Sequence, residues 1–475
     1  MRDGPPARIS GNGPGRGDER PSMRAALVVF DDPIYRLLWT SSLFSFMGMN
    51  VQMVARALLA WELTESFGAV GAISLSFGLP MLLFSLVGGS LADRLEKRNL
   101  SLATQSATGV LALGTAVLVA TGAITFELLF AVGLVQGTLF AFGMPARGPL
   151  MAEVVGRDLL MSAMAMSNAA MNATRLLGPA AAAVMVATGG IELAYFVQAG
   201  MYACSSAILL LVPTGLSALA RGGIALPPRG NVFAEIGHGL HYVATDARLR
   251  LLVGMLFIVT FFAMPYVVLL PGFVQEDLGR GDAAYGVLQS ISGAGALVGS
   301  LLVATLTTFS RKPLVQWGAG ILGGGGLVLL AVGSREYGFT GAAAAVLVVG
   351  LAMTAYQTLN NAMTMQESRP EYYGRVMSIN MLTFSAMPVM AYPLGALADF
   401  FGARETFMVQ GAIVLGFMAL VALVNRGYTF GRHEPPVFPI GISAAMEGVA
   451  RAGHGHDGQH EPLSAGHAGE GRPDR

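Results

Sequence analysis

SLVGGSLADRLEKRNL, residues 85–100, places five charges in the six positions from Asp93 to Arg98, in a 475-residue chain of which 12% is charged. Apolar runs flank it on both sides, so it reads as a short polar connector between two membrane-crossing helices, each needing about 20 apolar residues. Composition points the same way: 53% of residues are hydrophobic and 62 are glycine, with a mean hydropathy of +0.59, unlike a soluble domain. Eleven charges lie in residues 1–36 and eleven in 426–475, which leaves the middle as the lipid-facing body. The formal net charge is zero, so no long-range field recruits nucleic acid. One cysteine, Cys204, excludes an internal disulfide framework.

Apolar runs separated by Gly, Pro or charge number twelve, approximately 37–61, 68–92, 99–120, 125–145, 159–188, 191–212, 250–272, 284–308, 314–333, 339–363, 375–400 and 404–425. Gly323 to Gly326 weaken the ninth. Loops after the even-numbered spans hold thirteen basic residues: Arg94, Lys97, Arg98, Arg147, Arg157, Arg221, Arg229, Arg248, Arg250, Arg311, Lys312, Arg369 and Arg375. The opposite loops hold three, Arg280, Arg335 and Arg404. By the positive-inside rule both termini and the 93–98 cluster face the cytoplasm. Residues 1–34 lack an apolar run ending in a small-residue cleavage site, so they read as a disordered tail rather than a signal peptide. Residues 426–475 form a second tail, whose His454, His456, His460 and His467 lack the Cys or carboxylate partners that would close a metal site.

A shift of 214 residues superimposes the two parts of the chain: Asp32 meets Asp246, Arg36 meets Arg250, Glu153 meets Glu367 and Pro179 meets Pro393. With a two-residue deletion, YFVQ at 195–198 meets FMVQ at 407–410. Six spans per unit keep both units in one orientation, a parallel repeat with a cavity expected between them near the bilayer midplane. The expected fold is therefore all-α, with twelve transmembrane helices in two six-helix halves. Its parts are residues 35–212, a cytoplasmic linker 213–247, and residues 248–425.

GGSLADRLEKR at 88–98 resembles the loop 2–3 signature of the major facilitator superfamily, with Gly89, Asp93, Arg94, Lys97 and Arg98 in the signature positions and Glu96 where a glycine is usual. WELTES at 61–66, FGMPARGPLMAEVV at 142–155, RLLGPA at 175–180 and YYGRVMS at 372–378 are similar to the bacterial drug-exporter branch containing macrolide-efflux and enterobactin-exporter-like proteins. The resemblance implies an inner-membrane transporter working by alternating access, driven by the proton gradient, with no cofactor. It also implies that the loop 2–3 residues latch the cytoplasmic gate. Asp93 would accept from a helix N-terminus of the other half, while the basic residues pair with carboxylates or anionic lipid. The Gly178–Pro179 pair would kink span 5.

Arg56 and Arg175 fall inside spans 1 and 5, where an arginine costs about 2.5–3.5 kcal/mol at the bilayer centre unless it faces protein or water. Ser45, Met49, Gln52 and Arg56 form one polar stripe at helical spacing, and Asn168, Asn172, Arg175 and Pro179 form another. Satisfaction by amides and backbone carbonyls is the plainer reading of both arginines. Gln136, Phe140, Phe261, Pro265, Tyr266, Gln289, Ser292, Tyr356 and Asn360 complete the expected pathway for a hydrophobic or amphipathic small molecule. An organic anion or siderophore held by Arg56 and Arg175 is the alternative, and a non-transporting membrane scaffold or sensor is a third reading. No carboxylate lies deep in a span, which leaves Glu62, Glu153 and Asp399 as coupling candidates. No nucleophile–base or metal constellation suggests an enzyme. The partners expected are the substrate and the bilayer, and the chain is read as a monomer.

Overall fold

A computed structural model describes residues 27–215, 232–305, 311–369 and 372–430. The tail readings, the four C-terminal histidines, linker residues 216–231 and the side chains of Asp93 and Arg94 lie outside the described part. Among the described residues there is no strand, and nine helices are long and apolar enough to cross a membrane.

Helix α1 (Pro33–Thr64) starts at Asp32, whose carboxylate accepts the N–H groups of Ile34 at 2.7 Å and Tyr35 at 3.2 Å. Helix α7 (Ala247–Asp277) starts the same way at Asp246, which accepts from Arg248 at 2.9 Å and Leu249 at 3.0 Å. The repeat-related aspartates therefore cap equivalent helices, satisfying donors that a helix N-terminus leaves open. Helices α2 (Phe67–Arg94), α3 (Lys97–Ala120) and α4 (Phe126–Val155) follow α1.

Helical residues then continue to Leu211, an 86-residue run from Phe126. A single rod of that length would extend about 130 Å, some four times the hydrocarbon core, so the chain folds back within it. Gly190, at φ 75°, separates α5 (162–189) from α6 (191–211). Gly338, at φ 55° and ψ −134°, likewise divides Lys312–Glu367 into α9 (312–337) and α10 (339–367). Only glycine adopts such angles without strain. Helix α8 (Asp282–Thr305) precedes α9, and α11 (Tyr373–Phe401) and α12 (Ala403–Val424) close the order.

One sequence expectation needs correction. The Gly323–Gly326 run does not weaken α9; a Cβ on Gly323 would lie 2.1 Å from Met353 Cε, and one on Gly326 2.8 Å from Val349 Cγ2. These glycines let α9 and α10 approach closely, as small residues do between membrane helices. Gly178 and Pro179 lie inside the helical residues of α5. A Cβ on Gly178 would sit 2.4 Å from Asn50 Cβ, so this glycine serves the contact of α5 with α1.

The first segment (α1–α6) packs on the second (α7–α12) along two seams. On α2–α11, a Cβ on Gly71 would lie 2.5 Å from the Ala391 carbonyl and one on Gly78 2.3 Å from Pro388 Cγ. On α5–α8, Gly286 and Gly293 stand against Ala183 and the Arg175 carbonyl. The largest apolar cluster takes residues from both segments, including Leu58, Trp61, Phe67, Leu269, Phe273 and Phe407. The four smaller clusters each belong to one segment. They gather at the end bearing the basic loops, called here the basic end; the opposite one is the far end.

Candidate transport pathway and gate

At the far end, polar contacts join the segments. Trp61 Nε1 donates to Gln275 Oε1 at 3.0 Å, and Gln275 Nε2 donates in turn to Asp282. Asp399, at the end of α11, accepts from the N–H groups of Phe67 at 2.6 Å and Gly68 at 2.9 Å and from Ser66 Oγ at 2.8 Å. A carboxylate from the second segment thus caps the first turn of α2, where the helix dipole favours an anion. Glu62 is exposed, with Asp282 and Glu192 as its charged neighbours.

At the basic end, the loop 2–3 residues are engaged within the first segment. Lys97 pairs with Glu153. Arg98 donates to the carbonyls of Leu209 at 3.1 Å and Leu210 at 3.0 Å, capping the C-terminus of α6. Glu96, standing where the family signature has glycine, accepts from Gly215 N and from Asn99 Nδ2. Lys97 and Arg98 therefore bind their own segment in this structure rather than reaching the other half. No atom lies within 4 Å of a Cβ built on Gly89, whereas one on Gly88 would lie 2.1 Å from the Ala141 carbonyl. The close packing falls on the neighbouring glycine.

Inside the first segment a pocket opens between α1, α2, α3, α4 and α6. Gln52 Nε2 donates to Gln136 Oε1 across it. The Arg56 guanidinium lies 4.7 Å above the Phe77 ring, which stands 5.5 Å from Phe140. Arg147 enters at the basic side, donating to Ser45 Oγ and covering the Phe46 ring at 5.0 Å. Of the α1 stripe, Met49 and Gln52 line this space, Ser45 meets Arg147 and Arg56 stands over Phe77. Arg147, Thr104, Gln105 and Tyr202 join it without having been singled out. Arg147 in particular belongs to α4 and not to a loop.

Other pathway candidates separate into two groups. Tyr266 and Ser292 share a hydrogen bond of 2.9 Å, and Gln289 donates to Tyr285 at 3.0 Å, both beside the α5–α8 seam where Arg175 is exposed. Arg56 and Arg175 make no ion pair among the described residues. Asn360 donates to the Leu252 carbonyl at 3.0 Å and Tyr356 is fully buried, so both hold α10 against its neighbours. Asn168 is exposed and Asn172 half-buried on α5, away from the cavity lining.

A helical membrane body with a polar interior and two seams closed at one end is the build of a membrane transporter. The transmembrane secretion effector model matches residues 24–429, and the chain belongs to this family of the major facilitator superfamily. Macrolide efflux protein A of Streptococcus pyogenes is 23% identical, over 80% of this chain and 94% of its own. The multidrug efflux pump Tap of Mycolicibacterium fortuitum is 26% identical over 81% and 94%. The enterobactin exporter EntS of Salmonella typhi is 23% identical over 60% and 66%. In fold, the chain is similar to the nucleoside transporter NupG, at a TM-score of 0.64 and 14% identity over 84% of this chain and 99% of that one. It is also similar to an inward-facing bacterial homologue of the human lysosomal transporter Spinster, at 0.65 and 12% over 87% and 100%.

Proposed function

We propose that the protein is a proton-coupled exporter of hydrophobic or amphipathic small molecules. It would work by alternating access between two six-helix halves, with both termini cytoplasmic. The observation that carries this reading is the distribution of the core. One apolar cluster unites both segments, while the basic-end clusters stay within one segment each. Such a pair of bodies is hinged shut at the far end and free to part at the basic end, which the positive-inside rule assigns to the cytoplasm. Relatives that act on macrolides and several drugs support export as the direction.

Asp399 is the coupling group this reading favours among Glu62, Glu153 and Asp399. Its charge closes the far end, so a proton arriving from outside weakens that closure. Glu153 is committed to Lys97. The test is a panel of a lipophilic cation, a macrolide and a siderophore added to proteoliposomes under an imposed pH gradient, scoring proton and compound movement. Movement of at least one compound with protons is the expected result. Silence across the panel would favour a non-transporting scaffold.

A further inference from the structure

The first-segment cavity has more donors than acceptors. Arg147 carries five N–H groups and a fixed positive charge, and among the described residues its hydrogen-bond acceptor is Ser45 Oγ, with the face of Phe46 and Tyr202 beside it. Glu153, six residues along the same helix, is held by Lys97. Gln136 is 3% exposed, its oxygen is taken by Gln52, and its Nε2 has no acceptor among the described residues. The hydroxyls of Thr104 and Thr108 donate to backbone carbonyls at 2.9 and 2.8 Å, and Gln105 Oε1 is used by Ser205. A half-buried guanidinium with one acceptor for five N–H groups, and a buried amide N–H with none among the described residues, are costly unless a ligand supplies more.

We infer that this cavity binds the carboxylate, or a comparable oxyanion, of an amphipathic organic anion. Arg147 is its charge partner, Gln136 Nε2 its second donor, and Met49, Phe77 and Phe140 the wall for its apolar body. The inference rests on the transport reading above and names its substrate class. A guanidinium matches a carboxylate with two parallel hydrogen bonds. Arg56, over Phe77 on the same α1 stripe, extends the positive potential along the cavity. Because the charge that selects the ligand is positive, the transporter discriminates against lipophilic cations.

Calorimetric titration of the full chain in phosphatidylcholine nanodiscs, with 4-biphenylcarboxylate and 4-biphenylcarboxamide, separates charge from shape. The carboxylate is expected to bind at least about tenfold more tightly, the return on charge-assisted bonding. Arg147→Gln removes the preference, and Gln136→Leu lowers carboxylate affinity several-fold. In case Arg147→Gln unfolds, phenylglyoxal modification of Arg147 in the unaltered chain must be slowed by the carboxylate and not by the carboxamide. Equal affinities, a preference that survives Arg147→Gln, or competition by added phosphatidylglycerol, which would assign the site to a lipid headgroup, each overturns the inference. Export of a lipophilic cation by a protein that neither binds nor moves the carboxylate sinks the anion site and leaves the transport reading. Arg147-dependent binding without movement of any compound does the reverse.

Discussion

Asp399→Asn tests whether the far end is held by a carboxylate from one segment on a helix terminus of the other. Asp399 accepts three donors at 2.6, 2.9 and 2.8 Å. Fully desolvated, charge-assisted bonds contribute about 1.5–3 kcal/mol each, but the site is exposed, which brings the total nearer the cap value of about 0.5–2 kcal/mol. The dipole adds about 0.3–1 kcal/mol. Asparagine keeps one acceptor oxygen and loses the charge, so the expected loss is about 1–2 kcal/mol, a factor of about 5–30 in an equilibrium. These contacts join the two segments, so the loss falls on the closed far end and shifts population toward opening.

Nitroxides at Thr121 and Tyr337, exposed residues on far-end turns of the two segments, report the opening by electron–electron dipolar spectroscopy. Cys204, exposed and the sole cysteine, is replaced by serine first. The variant should gain a long-distance component that the parent lacks. Gly68→Ala should act alike, since its Cβ would lie 2.8 Å from Asp399 Oδ2. Superimposable distance distributions for parent, Asp399→Asn and Gly68→Ala would refute the latch.

Gly88→Ala should lower transport and thermal stability through the 2.1 Å approach to the Ala141 carbonyl, while Gly89→Ala, meeting nothing within 4 Å, keeps both or gains about 0.5–1 kcal/mol; equal melting temperatures would contradict this. Lys97→Gln removes the buried ion pair with Glu153 and should cost about 3 kcal/mol. Most of that loss should be recovered in the Lys97→Gln, Glu153→Gln double variant, as a double-mutant cycle in detergent would measure. Gln198→Met and Gln410→Met should each raise the melting temperature, by the equivalent of about 1–3 kcal/mol. Both glutamines are fully buried and neither amide atom has a partner among the described residues; a fall in melting temperature would point to a bound water.

Hydropathy and glycine made most of the fold legible in the sequence. The breaks read between the fifth and sixth and the ninth and tenth spans coincide with left-handed Gly190 and Gly338, because a backbone angle only glycine reaches leaves a local mark. Arg147 was hidden by its neighbours: Pro145 and Pro149 look like a helix end, yet the helix continues to Val155. Membrane helices tolerate proline where neighbours satisfy the freed groups. The loop 2–3 cluster was legible as a place but not as a set of contacts. Arg98 finds its acceptors 111 and 112 residues away on α6, a pairing that only tertiary structure decides. Expectation placed an aspartate cap between halves on Asp93; the cap seen among described side chains is Asp399, at the other end.

The internal repeat explains why one segment carries the cavity. Under the 214-residue shift, roles that build the scaffold recur: Asp32 and Asp246 cap helices, and Glu153 and Glu367 pair with Lys97 and Arg248. Groups that would hold a ligand do not recur. Arg56, Gln136 and Arg147 become Leu270, Gly350 and Asn361. A Cβ on Gly350 would lie 2.1 Å from the Ser292 carbonyl, so α8 occupies the place where the first segment is hollow. Asn361 accepts from Asn380 at 3.2 Å, a neutral link between α10 and α11. At these three positions the second segment thus carries an apolar residue, a helix contact and a neutral link where the first carries polar and basic side chains.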